Sequence, residues 1–332
     1  MKTLKKLYLS ALFFFITPLL FALTKAEMMD LPSKKTDFYG GTFSTDVLEK
    51  VRVFEGNPAE YLINFDYDSL PYSSEIEINY SNHELTETEK SLLLEYFSYL
   101  PPKMQSCFKE NVYAIYFIDG MWYGGLTDFI FDENQKIYCV MYLNADVFKE
   151  TLSDWFEKRD NTIFTQTDEN NKVKTECSDD YKALLHVLLH ETAHVYDYVN
   201  QITPYIDFFD GQKKSDSVYY NFWANKYQPV KKYNHKDLSA FSYYYFGNQI
   251  PLKNAKGLIN YLSKTPFSTL YGAKNFQDDF AETVTFYYLK KVFGINYKIT
   301  YIENGVEKAT YDLAKNKNTH VWDSLCKDLT GL

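Results

Sequence analysis

The chain has 332 residues, 45% hydrophobic and 24% charged, enough apolar material for a large buried core, which excludes a disordered or fibrous protein. Its 44 acidic residues outnumber 35 basic ones, and a surface of net charge −9 repels phosphate backbones and anionic lipid, so nucleic acid is excluded as a natural partner. Aromatic residues reach 18%, with 31 tyrosines, so an aromatic stripe alone marks core or ordinary surface rather than a binding site.

Lys2, Lys5 and Lys6 precede an apolar run at 7–23, and Thr24-Lys25-Ala26 places small residues where a signal peptidase reads. Ser10, Thr17 and Pro18 interrupt the run, which favours a cleaved signal peptide (1–26) over a membrane anchor. No cysteine follows it, against a lipoprotein, and no later stretch is apolar enough to span a bilayer. The expected location is therefore outside the cytoplasm, periplasmic or secreted, without stable membrane insertion. Cleavage after Ala26 removes four lysines and no acid, leaving 31 basic against 44 acidic residues and a net charge of −13. Cys107, Cys139, Cys177 and Cys326 remain; an even count in an exported chain suggests disulfides of unspecified pairing, and without a C-x-x-C spacing they do not read as a zinc site.

Residues 27–83 read as a β-rich segment: Val51-Arg52-Val53-Phe54 and Glu75-Ile76-Glu77-Ile78 alternate with period two, broken by Gly56-Asn57-Pro58 and Pro71. The main domain, 84–332, opens with a helix capped by Thr86 and Glu89 and stopped by Pro101-Pro102. Strands are expected at 112–118, 129–131 and 137–143, with Gly120 and Gly124-Gly125 at turns, then a polar exposed loop at 160–180. Ser178 or Asp179 caps a helix that carries Leu184, Leu185, Val187, Leu188 and Val195 and runs to about Asn200. Residues 201–250 read as an irregular insertion, 258–262 as a short helix, and Asn275 as the cap of a last long helix ending near Gly294.

The helix near 190 carries His190-Glu191-Thr192-Ala193-His194. At about 100° per residue, His190 and His194 lie one turn apart on one face, where two imidazoles can share one zinc ion and Glu191 stands beside it to take a proton from water. His186 is one turn earlier, and three successive turns do not converge on one tetrahedral ion, so His186 reads as packed or supporting. A metzincin would place its third histidine at 200 and a glycine at 197; Asn200 and Asp197 exclude that class. The densest source of a third ligand is the stretch from Tyr271 to Glu282, where Asp278 and Glu282 again share a helical face. One of the two can bind metal while the other orients a ligand imidazole.

H-E-x-x-H-x-x-D followed by Y-G-x-x-N-x-x-[DE]-x-F-A-E resembles the anthrax lethal factor family of bacterial zinc peptidases, over residues 180–291 with the middle unmatched. The resemblance implies an α+β zincin-like fold, with a mixed sheet, an active-site helix and a C-terminal helical part, and a zinc metalloendopeptidase acting on peptide or protein. It also implies His190, His194 and Asp278 as zinc ligands, Glu191 as general base, Tyr271 facing the reacting carbonyl, and Glu282 holding His190. Asp278 stands where the family usually has Glu, one methylene longer, and the gap between motifs exceeds that of lethal factor. By the same resemblance, and because extended peptides add to sheet edges, residues 138–143 are the expected edge strand above the cleft. The competing functions are a cell-wall peptide hydrolase and a zincin-fold binding module without catalysis; Glu191 and Tyr271, which binding does not need, argue against the second.

Overall fold

The computed structural model describes residues 25–71, 76–204, 217–244 and 246–332, so the expected signal peptide lies almost wholly outside the described residues. The chain is α+β. Its main sheet comprises Ser81–Asn82 (β1), Val112–Asp119 (β2), Gly125–Phe131 (β3) and Ile137–Asn144 (β4), in the order β1-β2-β4-β3. β2 and β4 run parallel, with Ile115 opposite Met141 and Phe117 opposite Leu143, while β3 joins β4 antiparallel. Both parallel strands are nearly continuous apolar runs buried at almost every position, as strands covered on both faces must be.

That burial corrects the expected edge. Residues 138–143 lie in the interior strand β4, and β3 forms the edge. A two-sided hydrophobic strand such as Cys139 to Leu143 would expose half its side chains there. β3 also begins four residues earlier than expected. Gly124-Gly125 leads into the strand instead of turning, and the turn falls at Gly120, whose φ is +80° and whose missing Cβ would sit 2.6 Å from the Asn79 carbonyl oxygen.

The segment 27–83 is not β-rich. Its main element is the helix Gly56–Ser69, and β structure among its described residues is limited to β1 and single bridges at Lys35 and Val51. Pro58 sits in the first helical turn, where a missing N–H costs nothing, so Gly56-Asn57-Pro58 starts a helix instead of breaking a strand. Leu62 and Asp66, one turn apart, face inward, and Asp66 accepts hydrogen bonds from Tyr80 (2.7 Å) and Tyr123 (2.9 Å). The helix Glu87–Ser98 has the expected capping box: Thr86 Oγ1 accepts from Glu89 N and Glu89 returns a bond to Thr86 N.

Residues 160–180 are not an exposed loop. Lys172–Glu176 forms a strand between which and Val306–Asp312 lies Lys298–Glu303, an antiparallel sheet that the sequence reading did not anticipate. The helix Leu152–Asn161 precedes it and buries Arg159 and Asp160. The described part of 201–250 is mostly irregular, yet Tyr219, Trp223, Phe241 and Tyr243 are core residues, so this stretch is packed into the domain; 205–216 and 245 lie outside the described residues. All four cysteines are free thiols, contrary to the expected disulfides. Cys107, Cys139 and Cys326 are buried and serve as small apolar fillers.

Two long helices dominate the rest. The histidine helix, Leu184–Asn200, buries Leu184, Leu185, Leu188 and Leu189 completely, each worth about 1.5–3 kcal/mol relative to exposure. The acidic helix, Phe276–Phe293, packs against it. Asn275 caps the acidic helix, its Oδ1 accepting from Gln277 N (3.0 Å) and Asp278 N (2.9 Å), and Gly294 ends it with φ +69°. No helix among the described residues is long and apolar enough to cross a membrane.

Candidate metal centre

His186, His190 and His194 recur every fourth residue, as do Asp278 and Glu282, so each packed helix turns one polar stripe toward the other. Where the stripes meet, His190 Nε2 and His194 Nε2 are 3.1 Å apart. Asp278 Oδ1 lies 3.7 Å from the first and 3.4 Å from the second. Ligands about 2.0–2.1 Å from a tetrahedral zinc stand roughly 3.3–3.4 Å from one another, and the three separations bracket that value. Two nitrogens and one carboxylate oxygen are also the donor set that zinc accepts at a catalytic centre, where a fourth position stays open. The residues present therefore fit the metal.

A second trio, His186 Nε2, His190 Nδ1 and Glu282 Oε1, also falls within metal-ligand spacing. It is the poorer site. Its Glu282 is fully buried and already committed to Arg159, whereas Asp278 keeps 16% of its side chain exposed toward the cleft. One imidazole would also have to serve two ions.

Glu282 acts on the first trio from behind. Its Oε1 lies 3.0 Å from His186 Nε2 and 3.2 Å from His190 Nδ1, the latter an ion-pair contact out of line for a hydrogen bond. Thr269 Oγ1 donates to Glu282 Oε2, and Arg159 Nη1 reaches both carboxylate oxygens at 3.3 Å. His186 thus supports Glu282 and stands apart from the histidine pair, as the helical geometry required.

Electrostatics at the trio favour a cation. Burial opposes a charged imidazole at His190, but Asp278, Glu282 and Glu191 outweigh it and raise the pKa. At Asp278 burial pushes the other way, and the two histidines reverse it, leaving the carboxyl well below its usual range. Glu282 is likewise held low against its own burial by Arg159 and His186. His186 lacks that net support: burial lowers it to about 4, so it stays neutral.

Glu191 sits between the ligands and is buried. Its Oε2 accepts from Thr127 Oγ1 of β3 at 2.7 Å. A Cβ at Gly125 would lie 2.6 Å from Oε1, so only glycine lets β3 pass this close. Tyr271 packs its ring 6.0 Å from that of His190; burial, with the nearby charges of Asp278 and Glu191, raises its phenol well above its usual pKa and keeps it a donor. Asp197, the last acid of the first motif, plays no part in the trio: it accepts from Thr203 N and Oγ1, both at 2.6 Å, and ties down the turn after the helix.

The structure thus brings together every residue singled out in the sequence: His190, His194, Asp278, Glu191, Tyr271 and Glu282. A cleft of about 300 Å³ opens beside them, lined by Gly125, Trp155, Arg159, Val187, Tyr244 and Tyr271 among others. Arg159, Thr127, Gly125 and Tyr244 were not foreseen. Arg159 had one usable signal: it is one of only two arginines in a chain whose other basic residues are all lysine. No family model matches this chain, and neither curated proteins nor solved structures give a match.

Proposed function

We propose that the protein is an exported zinc metallopeptidase of zincin type, with His190, His194 and Asp278 as ligands. The observation that carries this reading is the convergence of those three donors at ligand spacing, with Glu191 beside them on the open side of the cleft. Zinc held there would lower the pKa of a water towards 7 and polarise a peptide carbonyl. Glu191 takes the water's proton at Oε1, since Oε2 is engaged by Thr127, and returns it to the leaving amine. Tyr271 donates its phenol proton in a hydrogen bond to the carbonyl oxygen as negative charge develops on it. Extended peptide pairs with the free side of β3, which is bonded to β4 along its length and otherwise only bridged at Phe131 by Lys35.

The test is hydrolysis of a broad peptide library, including cell-wall peptides, by zinc-reloaded protein. Cleavage that chelation abolishes and zinc restores is expected; none from protein with full zinc occupancy would remove the enzymatic reading. The close pass of β3 gives a sharper form. Gly125→Ala forces Glu191 aside, and misplacement on the order of 1 Å costs about 10²-fold. The variant should keep its zinc and lose cleavage by that order, and wild-type cleavage rates from it would show that Glu191 need not stay where β3 holds it.

A further inference from the structure

Arg159 has more donors than its neighbours use. Its side chain is 2% exposed, with Nε on Asp160 Oδ1 at 3.1 Å and Nη1 on both oxygens of Glu282 at 3.3 Å. The guanidinium is packed between the rings of Phe156 and Tyr271, 4.6 Å and 5.1 Å from its Cζ. Nη2 is buried and has no hydrogen-bond partner. A buried donor left unmade costs about 1–3 kcal/mol, more when charged, so a guanidinium kept in this state at a cleft wall is poised for a ligand. Residue choice points the same way. This chain uses lysine everywhere except at 52 and 159. Arg52 spends its fork on the carbonyls of Tyr39, Gly40, Thr42 and Tyr113. A lysine at 159 could neutralise Glu282, but it could not also present a second, rigidly placed arm.

The neighbours of Arg159 decide what that arm takes. Glu282 and Asp160 already flank the guanidinium, so an incoming anion would meet two carboxylates, whereas a neutral carbonyl oxygen accepts the bond without adding charge. The cleft wall alongside is apolar, made by Trp155 and Val187. It lies on the side of Glu191 and His186, and His194 is not part of it. Since Glu191 returns its proton to the leaving amine, this side receives the residue that supplies that amine.

Resting on the metallopeptidase reading, we propose that Arg159 contacts the substrate: Nη2 donates to the backbone carbonyl of the residue on the amine side of the scissile bond, whose apolar side chain lies against Trp155 and Val187.

Three probes, titrated calorimetrically into zinc-loaded full chain, test it. Acetohydroxamate addresses the metal alone. A succinyl hydroxamate bearing an isobutyl group and a terminal methylamide adds the apolar side chain and the carbonyl. Its analogue ending in an alkyl group lacks only the amide. The amide probe should bind wild type at least about 10-fold more tightly than the alkyl analogue, the low end for a hydrogen bond to a charged group. In Arg159→Lys that ratio should fall to near one while acetohydroxamate binds as before. Because the chain has only two arginines, guanidinium ¹⁵N NMR gives a second readout on wild type itself. The Arg159 Nη signal should move with the amide probe and not with acetohydroxamate, and Arg52 with neither. Equal affinity of wild type for amide and alkyl probes, an unchanged ratio in the variant, or a silent Arg159 signal each overturn the proposal. If no hydroxamate binds zinc-loaded wild type, the metallopeptidase reading itself fails.

Discussion

Glu191→Gln, loaded with zinc, should fold and keep its metal yet lose peptide hydrolysis by at least about 10²-fold, the low end for removing a general base. The amide preserves the size of the side chain and can still accept from Thr127 Oγ1, which now holds the carboxylate at 2.7 Å, so the contact with β3 survives. It cannot take a proton from water. No part of the histidine–aspartate trio is touched, so any loss of rate at equal zinc occupancy belongs to the proton step. Hydrolysis of the same peptides by both proteins, with zinc measured on each sample, decides the matter. A variant that cleaves as fast as wild type would remove Glu191 from the mechanism while leaving the metal site standing.

The two acids of the acidic helix should separate just as clearly. Asp278→Ala removes the one carboxylate oxygen near both imidazole nitrogens and should abolish tight zinc binding, with little effect on the metal-free fold because the side chain is partly exposed. Glu282→Gln should weaken zinc only about 10- to 100-fold, as loss of a group that orients a ligand does. It should instead cost about 3–5 kcal/mol of stability, because it leaves Arg159 buried without the charge that compensates it. Chelator competition gives the affinities and urea unfolding the stabilities. The opposite order of zinc affinities would make Glu282 the ligand and Asp278 the support.

What the sequence made readable and what it hid divide by range. The capping box at Thr86 and the cap at Asn275 are bonds between residues two or three apart, and both formed as read. The polar stripes of the two long helices are equally local, which is why His190, His194, Asp278 and Glu282 could be singled out before their helices were known to meet. Arg159 meets Glu282 across 123 positions, and Lys172–Glu176 finds its partner strand more than a hundred residues on, so neither pairing leaves a local trace. β4 misled for a different reason. Its unbroken apolar run is the mark of an interior strand, and the resemblance outweighed that mark in assigning it to the edge. Gly56-Asn57-Pro58 looked like a break because glycine and proline usually are one, although the first turn of a helix accepts both.

The account rests on one metal held by three side chains, and elemental analysis reads it directly. Protein stripped by chelator, reloaded with zinc and dialysed should retain one zinc per chain, the complement of a three-ligand site with an open fourth position. The double variant His190→Ala, His194→Ala, treated identically, should retain less than about a tenth of that. Wild type that emerges without stoichiometric zinc, or a double variant that holds it equally well, would contradict the assignment of His190, His194 and Asp278 as the metal centre.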